Sequence, residues 1–478
     1  MTPNPQRLTE LNQVAEEASK IIRSTTEQHS PILVVNHFDA DGLSAGSIVL
    51  AALHRLDAQV HLRIVETMSD RALDEISNVE SDLVVFADIG SGYLDMITKG
   101  LPNRRIVICD HHQALGQATP AVTHFNPHVY GFDGSTDISG AGTAYLLAKT
   151  IDKHNKDLAT MAMVGCLGDQ QDKGPKRTVK GLNKTILDDA VSTGLLEETQ
   201  DLVFFGRQTR PVHRAIASTT SPFIPGLSNE EDKCLAILDK AKIPTKVEDR
   251  WRTISDLSIE EKRRLVDVII QHMISLGLNG ETALELIGSV YTLTHEDPWT
   301  PLRDAREFAT LLNACGRMGK PGLGVALGLG DRAASFEEAQ EVYGDYKKSL
   351  AKYMNWIAKE PAALKQLGNL VVVRGDGVID ESMTGAVSSL VSASSLFGDS
   401  KVTLVTTSTK DGTVKVSARA TDLLVGKGVN LGRILQSLAV NYGGNGGGHA
   451  IAAGATITRD GLDGFLEDFR RMVSAVIS

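Results

Sequence analysis

The chain has 478 residues, of which 42% are hydrophobic and 23% are charged, and its formal net charge is −10. This length and composition predict a globular protein of roughly two to four domains, and the acidic balance argues against a protein that coats nucleic acid by bulk electrostatics. The cysteines show no CxxC pairing, which argues against a disulfide framework or a structural zinc site and favours a cytoplasmic location. No leader pattern is recognisable and no apolar run approaches the ~20 residues needed to cross a bilayer, so no membrane partner is expected.

Residues 1–190 alternate short apolar runs with helical patterns, which is typical of a parallel α/β sheet. Strands are predicted at 32–35, 83–87 and 105–109, and helices at 42–56 and 140–151. In open sheets of this kind, ligands bind beyond the carboxyl ends of the strands. The side chains that follow the three predicted strands are therefore expected to converge, although they are far apart in the sequence.

From about residue 185 the pattern changes to helices and irregular stretches, and from about 366 a second α/β unit is predicted. Its strands are expected at 370–374, 402–406, 413–418 and 451–457, and its helices at 381–396, at 430–442 and from 461 onward. The predicted domains are 1–190, 191–365 and 366–478. Two α/β lobes joined by a helical region would leave a cleft between them, which is the usual place for a substrate site.

Carboxylate and imidazole side chains follow the predicted strands of the first domain. They lie in NHFDADG (His37, Asp39, Asp41), in VVFADIGSG (Asp88), in the triplet Asp110, His111 and His112, and in VGCLGDQQD (Asp169). Acids and imidazoles without a cysteine suit a pair of hard or borderline divalent ions such as Mn²⁺ or Mg²⁺. The leading hypothesis is a two-metal phosphoester hydrolase. For each motif alone, a polar strand-to-helix loop or a helix cap is the structural alternative.

Two further features are suited to bind phosphate. The glycine-rich segment GGNGGGHAIAAGA (443–455) contains Gly447, Gly448 and His449, and the segment VSARA (416–420) contains Ser417 and Arg419. Glycines let backbone N–H groups approach a phosphate closely, and arginine and histidine provide charge-assisted contacts. A glycine-rich segment alone would be equally compatible with a flexible loop.

Two basic stretches could follow a phosphate backbone, although such stretches are often solvated faces. Residues 202–228 contain three arginines and no carboxylate: Arg207, Arg210 and Arg214. Residues 173–184 contain five basic side chains: Lys173, Lys176, Arg177, Lys180 and Lys184. The sequence leaves both interpretations open.

The motifs HxDxDG, the single Asp after an apolar strand, Asp-His-His and the later GD together resemble the four motifs of the DHH phosphoesterase superfamily. The resemblance implies two α/β lobes and a centre of two Mn²⁺ or Mg²⁺ ions. The implied metal ligands are His37, Asp39, Asp41, Asp88, His111 and Asp169. The implied catalytic residues are Asp88 and Asp169, which would hold both ions, His112, which would contact the scissile phosphate, and Asp110, which would support the ligands.

The C-terminal segments fit the same resemblance. The glycine-rich segment is similar to the GGH motif of the DHH-associated substrate-binding domain, and VSARA is similar to its Ser-x-Arg strand. The implied substrate-binding residues of this domain are Ser417, Arg419, Gly447, Gly448 and His449.

Over nearly its full length the chain is most similar to the archaeal RecJ-like nucleases that associate with the GINS replication complex. The segments FGRQTRP (205–211) and 302–324 carry this similarity, and Arg207, Arg210 and Arg317 are candidates for strand contacts. The implied function is an exonuclease for single-stranded DNA, with RNA as an open possibility, in DNA replication or repair. The alternatives are a hydrolase of short oligonucleotides or of a nucleotide 3′-phosphate such as pAp, and a replisome scaffold without catalytic activity.

Overall fold

The computed structural model describes residues 5–219, 223–278, 280–394 and 400–477. The chain divides into two compact units, unit 1 (Met1–Gln340) and unit 2 (Glu341–Ser478). Unit 1 contains a parallel sheet followed by a largely helical region, and unit 2 contains a mixed sheet with helices. These features confirm the predicted α/β class. The division between the two units follows Gln340. The domain limits at 190 and 365 stay predictions.

Unit 1 begins with a helix, and strands and helices then alternate along the first part of the chain. Its helices are α1 (Pro5–Glu27), α2 (Ala40–His54), α3 (Asp70–Ser77), α4 (Leu94–Gly100), α5 (Gly140–Ile151), α6 (Ala159–Gly168), α7 (Gly181–Ser192), α8 (Val212–Ser218), α9 (Glu231–Lys240), α10 (Ile259–Ser275), α11 (Ala305–Arg317) and α12 (Pro321–Gly328). Its strands are β1 (Ile32–His37), β2 (Val60–Val65), β3 (Leu83–Ala87), β4 (Arg105–Cys109), β5 (Val122–Phe125), β6 (Leu196–Leu202), β7 (Lys246–Val247), β8 (Arg250–Trp251) and β9 (Ile287–Leu293). Helix α13 (Ala334–Lys359) contains the division between the units.

The main sheet of unit 1 is parallel and has the strand order β2-β1-β3-β4-β5. Its three central strands are almost wholly buried and apolar, as expected where helices cover both faces of a parallel sheet. Strands β3 and β4 and helix α5 have the predicted bounds. The edge strands β2 and β5 were not predicted, because β2 alternates exposed and half-buried residues and β5 has only four residues.

Helix α2 is the main buried helix of this sheet. It packs against α5, α6, α11 and α12, and most of its residues are buried. Small residues allow these close approaches: a Cβ on Gly165 of α6 would lie 2.6 Å from an oxygen of Asp41. The carboxyl ends of β1, β3 and β4, the start of α2 and the start of α5 are thereby fixed in one place.

The middle region was predicted to be helical and irregular, and the structure adds strands to it. Strand β6 pairs with β9 in an antiparallel sheet, and β7 pairs with β8 in a short hairpin. Helices α8, α9 and α10 enclose a separate core that extends from Leu202 to Leu286. The segment 221–226, predicted as punctuation, lies partly outside the described residues.

A buried ion pair in this region should contribute strongly to stability. Arg252 donates two hydrogen bonds to Glu261, at 2.7 and 2.6 Å, and only 9% and 14% of the two side chains are exposed. Arg252→Met is expected to destabilise the protein by about 3 kcal/mol, because the Glu261 carboxylate would be left without its partner. Urea denaturation at pH 7 measures this change. In the control Arg214→Met, whose ion pair with Glu231 is more than half exposed on both sides, the cost should stay below about 1 kcal/mol.

The same ion pair predicts a pH dependence. Hydrogen bonds from Arg252 lower the pKa of Glu261 from 4.5 to about 2. Since the folded-state pKa lies below the unfolded-state value, the stabilisation is present above about pH 4.5 and is lost as the pH falls towards 2. The difference in unfolding free energy between the wild type and Arg252→Met should therefore shrink below pH 4.5. A difference that is the same at every pH would contradict this assignment.

Unit 2 contains a six-stranded sheet of order β10-β11-β12-β13-β15-β14. Its strands are β10 (Leu364–Leu367), β11 (Leu370–Arg374), β12 (Val402–Ser408), β13 (Thr413–Arg419), β14 (Asn445–Gly448) and β15 (Ala452–Thr458). Its helices after α13 are α14 (Thr384–Ala393), α15 (Asp422–Gly426), α16 (Leu431–Asn441) and α17 (Leu462–Ile477). Helices α16 and α17 cover the sheet around a core that includes Phe465 and Phe469.

The predicted strands of unit 2 are all present, and the main differences lie at the sheet edges. Strands β10 and β14 were not predicted, and β14 is formed by the glycine-rich segment itself. The predicted helix 381–396 is observed as α14, and residues 395–399 lie outside the described part of the chain. Within that described part, no helix combines the length and apolarity required to span a membrane.

Candidate metal centre

Most of the predicted ligands lie on loops at the carboxyl ends of β1, β3 and β4. His37 ends β1, Asp88 follows β3, and Asp110 follows β4. The Asp88 N–H donates to the Cys109 carbonyl at 2.9 Å, and the Asp110 N–H donates to the Phe125 carbonyl at 3.2 Å. These backbone hydrogen bonds continue the strand pairing by one residue, so that each loop starts at a fixed position relative to the neighbouring strand.

The first loop positions an imidazole beside two carboxylates. Nδ1 of His37 lies 3.1 Å from an oxygen of Asp39 and 3.8 Å from an oxygen of Asp88. Nε2 of His37 lies 3.2 Å from the Glu66 carbonyl, which favours the ring proton on Nε2 and leaves Nδ1 to face the carboxylates. Asp39 also caps α2, because its side chain accepts the Gly42 N–H at 3.0 Å.

Asp41 lies in the first turn of α2 and is buried. Its two oxygens accept hydrogen bonds from the N–H groups of Gly140 and Ala141, at 2.7 and 2.9 Å. These N–H groups begin α5, and the positive end of the helix dipole stabilises a carboxylate there. Nε2 of His111 lies 3.7 Å from Asp41.

Asp88 is the central carboxylate of the cluster. One of its oxygens lies 3.8 Å from Nδ1 of His37, and the other lies 3.1 Å from Nε2 of His111. Its backbone φ is +59°, in the left-handed region that residues other than glycine rarely adopt. Gly140 packs against it so closely that a Cβ at position 140 would lie 2.1 Å from Oδ1 of Asp88. This strained and tightly enclosed position is typical of a functional residue.

His111 is oriented by two backbone carbonyls. Its Nδ1 lies 2.6 Å from the Gly134 carbonyl and 3.2 Å from the Ile138 carbonyl, which places the ring proton on Nδ1. Nε2 then faces Oδ1 of Asp88 at 3.1 Å. In the metal-free protein, burial alone would lower the pKa of His111, but the contact with Asp88 raises it well above its usual value. A lone pair that faces a buried carboxylate is unfavourable unless a proton or a cation lies between them. The donor set therefore fits a divalent metal ion.

The pKa values of the cluster reflect its burial and its excess of negative charge. Burial, reinforced by the charge of Asp41, raises the pKa of Asp88 to about 7. Burial also raises the pKa of Asp169 to about 6. Burial alone would lower the pKa of His37, but Asp39 and Asp88 together raise it to about 9. Metal cations at this position would neutralise the same charge.

Asp110 is saturated by hydrogen bonds within the protein. One oxygen accepts the Ser91 N–H at 2.9 Å, and the other accepts the His111 N–H at 2.8 Å and faces Nδ1 of His112 at 2.8 Å. Asn126 donates to the His112 carbonyl and to the Ser91 hydroxyl, each at 2.8 Å. Asp110 therefore orients His112 rather than offering a metal ligand.

Asp169 ends α6 and is held by a buried glutamine. The side-chain amide nitrogen of Gln171 lies 2.7 Å from an oxygen of Asp169, 2.8 Å from the Gly134 carbonyl and 3.1 Å from the Ile138 carbonyl. All three neighbours are acceptors, which fixes the orientation of the amide. Its oxygen accepts a hydrogen bond from Asn183 at 2.7 Å. Gln171 thus contacts the same two carbonyls as His111.

The ligand atoms form overlapping groups at this edge of the sheet. Among the described residues of unit 1, the atoms of each group lie within 4.8 Å of one another: His37, Asp39 and Asp88; Asp41, His111 and Asp169; and Asp88, Asp110, His111 and His112. Asp88 belongs to two of these groups. The structure therefore brings together all the residues of unit 1 that were predicted as ligands or catalytic groups, and their assignment as ligands stays a prediction.

Sequence analysis missed several residues that position these groups: Ser91, Asn126, Gly140, Gln171 and Asn183. Gln171 lies in the quoted motif VGCLGDQQD, two residues after Asp169, and was recognisable as a candidate there. Ser91 likewise lies in the quoted motif VVFADIGSG, three residues after Asp88. Asn126, Gly140 and Asn183 lie outside the motifs, and they act through long-range contacts that no local pattern indicates.

The predicted substrate-binding residues of unit 2 lie on β13, on β14 and directly after β14, and β15 lies between these two strands. Ser417 of β13 pairs with Gly454 of β15, which pairs with Gly447 of β14. Arg419 ends β13 and donates to the Ser389 hydroxyl at 2.9 Å and to the Ala418 carbonyl at 2.8 Å. The remaining two residues, Gly448 and His449, end β14 and follow it.

The three candidate arginines of unit 1 have different surroundings. Arg317 ends α11, and its positive charge contributes to lowering the pKa of Asp39, after the larger effects of His37. Arg210 lies over the Phe205 ring at 4.7 Å. Arg207 is 6% exposed and forms a buried ion pair with Asp201. The strand contact of Arg207 stays a prediction, and it would require the guanidinium to leave its buried ion pair with Asp201.

Three family models match successive parts of the chain. The DHH family N-terminal domain matches residues 31–166, the DHH-CID domain matches 204–287, and the DHHA1 domain matches 368–477. The first match contains the predicted site residues from His37 to His112, and the last contains the glycine-rich strand.

Two relatives are similar in sequence. An uncharacterized protein of Methanocaldococcus jannaschii is 29% identical over 459 residues, which is 95% of either chain. The single-stranded-DNA-specific exonuclease RecJ of Bacillus subtilis is 26% identical over 168 residues, which is 32% of this chain and 21% of that protein. The sequence similarity to RecJ is thus confined to part of each protein.

Two solved structures show the same fold. RecJ of Thermus thermophilus in complex with Mn²⁺ has a TM-score of 0.57 at 18% identity, and the alignment covers 97% of this chain and 55% of that chain. CDC45 of Entamoeba histolytica has a TM-score of 0.63 at 12% identity, with 97% and 99% covered. This chain therefore spans about half the length of the Thermus RecJ. Together with the three matching domains, the fold assigns the chain to the DHH phosphoesterase superfamily as a RecJ-like member.

Proposed function

We propose that this phosphodiester hydrolase is a metal-dependent exonuclease that removes nucleotides from an end of single-stranded DNA, and that it also accepts RNA. The observation that supports this most directly is the position of Asp88, whose two oxygens face His37 and His111. A buried carboxylate between two imidazoles of this orientation is suited to bridge two cations. The similarity to the RecJ exonuclease of Bacillus subtilis supports the choice of substrate.

Each proposed ion has its own set of ligands. His37, Asp39 and Asp88 would hold one ion, and Asp41, His111 and Asp169 would hold the other. The family resemblance implies that Asp88 and Asp169 would help to hold both. Two Mn²⁺ or Mg²⁺ ions at this position would supply Lewis acidity and a nucleophilic water near neutral pH.

The protein's own groups would orient the substrate. His112 donates through Nδ1 to Asp110, and Asp110 raises the pKa of His112 although burial alone would lower it. The protonated ring could therefore also donate from Nε2 to an oxygen of the scissile phosphate. In unit 2, the guanidinium of Arg419 is held in place by Ser389. We propose that Arg419, His449 and the N–H groups of the glycine-rich strand bind the phosphates near the strand end.

The cellular setting is part of the same proposal. The likeness of the fold to CDC45 supports a role in DNA replication or repair, and we propose the GINS complex as a partner. The four cysteines are all free and buried, which is compatible with action in the cytoplasm.

The test is digestion of single-stranded DNA and RNA labelled at the 5′ or the 3′ end, with Mn²⁺ or Mg²⁺ and with Asp88→Asn as the inactive control. A ladder that shortens from one end in the wild type alone is the expected result. Activity confined to dinucleotides or pAp would replace the proposal with a short-substrate hydrolase. No hydrolysis of either class, with GINS binding retained, would indicate a scaffold.

A further inference from the structure

A basic loop, residues 173–180, adjoins the candidate metal centre at both of its ends. It begins two residues after Gln171, whose side-chain amide donates hydrogen bonds to Asp169 and to the carbonyls of Gly134 and Ile138. Just beyond its other end, the Asn183 N–H donates to the Asp137 carbonyl at 2.9 Å. The segment 134–138 also orients His111. The loop therefore begins and ends against the segment that supports the metal ligands.

The loop is anchored in a fixed and strained conformation. The Tyr291 hydroxyl donates to the Arg177 carbonyl at 3.1 Å, and a Cβ on Gly288 would lie 2.7 Å from the Lys176 carbonyl oxygen. Lys176 and Arg177 have φ values of +54° and +56°. Two consecutive residues other than glycine in the left-handed region are costly, and such strain persists mainly where it has a function.

Two of the four basic side chains in the loop are engaged in ion pairs. Lys180 lies 3.9 Å from a carboxylate oxygen of Asp137. The guanidinium of Arg177 is engaged with Asp172 at 3.7 Å. Lys173 and Lys176 are exposed, and none of the ion pairs found between described residues includes either of them. No acidic residue occurs between Lys173 and Lys184. In a protein with a net charge of −10, an acid-free loop with two unengaged lysines is a local site for polyanions.

We propose that the basic loop binds the phosphate backbone of a single strand beside the scissile phosphate, through Lys173 and Lys176. This inference rests on the proposed function, which it deepens by requiring a substrate longer than a dinucleotide. The anchoring would fix the backbone of the loop before the strand arrives, so that less backbone entropy is lost on binding.

The test compares two double variants that each remove two exposed lysines. Lys173→Gln/Lys176→Gln changes the loop, and the control Lys240→Gln/Lys242→Gln changes two exposed lysines at the end of α9, of which Lys242 also has a positive φ, +52°. Binding of a fluorescent 20-nucleotide oligothymidylate is measured by anisotropy in EDTA at several salt concentrations. The loop variant should bind more weakly, and its slope of log affinity against log salt should be shallower by about 1.4, since each phosphate contact contributes about 0.7. The control should keep the wild-type slope.

Hydrolysis of a dinucleotide with Mn²⁺ separates this inference from the proposed function. The loop variant should retain the wild-type rate on the dinucleotide and lose efficiency only on the long strand, as a higher KM. Equal salt slopes for the two double variants, or equal losses on short and long substrates, would overturn the inference. If the wild type bound the strand but hydrolysed no phosphodiester, the proposed function would fail, and the salt slopes would still decide the role of the loop.

Discussion

Asp88→Asn is expected to reduce metal-dependent hydrolysis of a single strand by about 10³- to 10⁴-fold. The amide is neutral and offers only one oxygen, so it cannot face both His37 and His111 as a bridging ligand. Asparagine is chosen because it tolerates the left-handed backbone of this position better than alanine does. The measurement is kcat/KM at saturating Mn²⁺ and pH 8.

The stability of the same variant provides an independent check. In the metal-free protein, Asp88 is buried close to Asp41, and burial and this like charge raise its pKa. Removing the charge should leave the melting temperature of the metal-free protein unchanged or higher. The control is Asp232→Asn on the exposed face of α9, which should change neither quantity. Retention of more than a tenth of the activity in Asp88→Asn would contradict the proposed centre.

Gln171→Met is expected to weaken Mn²⁺ binding by about 10- to 100-fold, which is the usual loss when a group that orients a metal ligand is removed. Methionine has a similar volume and flexibility, but it cannot donate to Asp169 or to the carbonyl of Gly134. Asp169 would then lose the contact that fixes one of its oxygens. Isothermal titration calorimetry with Mn²⁺ measures the affinity directly.

The adjacent residue offers a matched control. Gln170 is exposed, so Gln170→Met makes the same chemical change one position away and should leave Mn²⁺ affinity within about twofold of the wild type. Gln171→Met also removes one of the two donors to the Gly134 and Ile138 carbonyls and the acceptor of the Asn183 amide, which should lower the melting temperature. A lower melting temperature with unchanged Mn²⁺ affinity would show that Gln171 supports the fold and not the metal ligands.

The strands whose bounds the sequence predicted correctly at both ends are those whose burial makes them almost continuously apolar. Strand β3 consists of five buried residues, and β4 and β11 are similar, so their bounds could be read directly. The unpredicted strands lie at sheet edges. Strand β14 is the clearest case, because a run of glycines normally weakens a strand, and it becomes one here only through its pairing with β15.

The sequence likewise indicated some residues of the candidate site and not others. Acids and imidazoles at strand ends were visible because parallel strands collect their carboxyl ends at one edge. The groups that orient them were not, because the Gly140 N–H reaches Asp41 from the start of α5, and Asn183 reaches Gln171 from α7. Arg207 shows the opposite limit: its charge was visible in the sequence, but its burial beside Asp201 was decided by tertiary packing.

The contact between Gly140 and Asp88 makes catalysis separable from architecture. One methyl group at position 140 would collide with the carboxylate, and the three atoms nearest to it all belong to Asp88. A lineage that carries this fold could therefore lose its chemistry in a single nucleotide change and survive as a structural subunit.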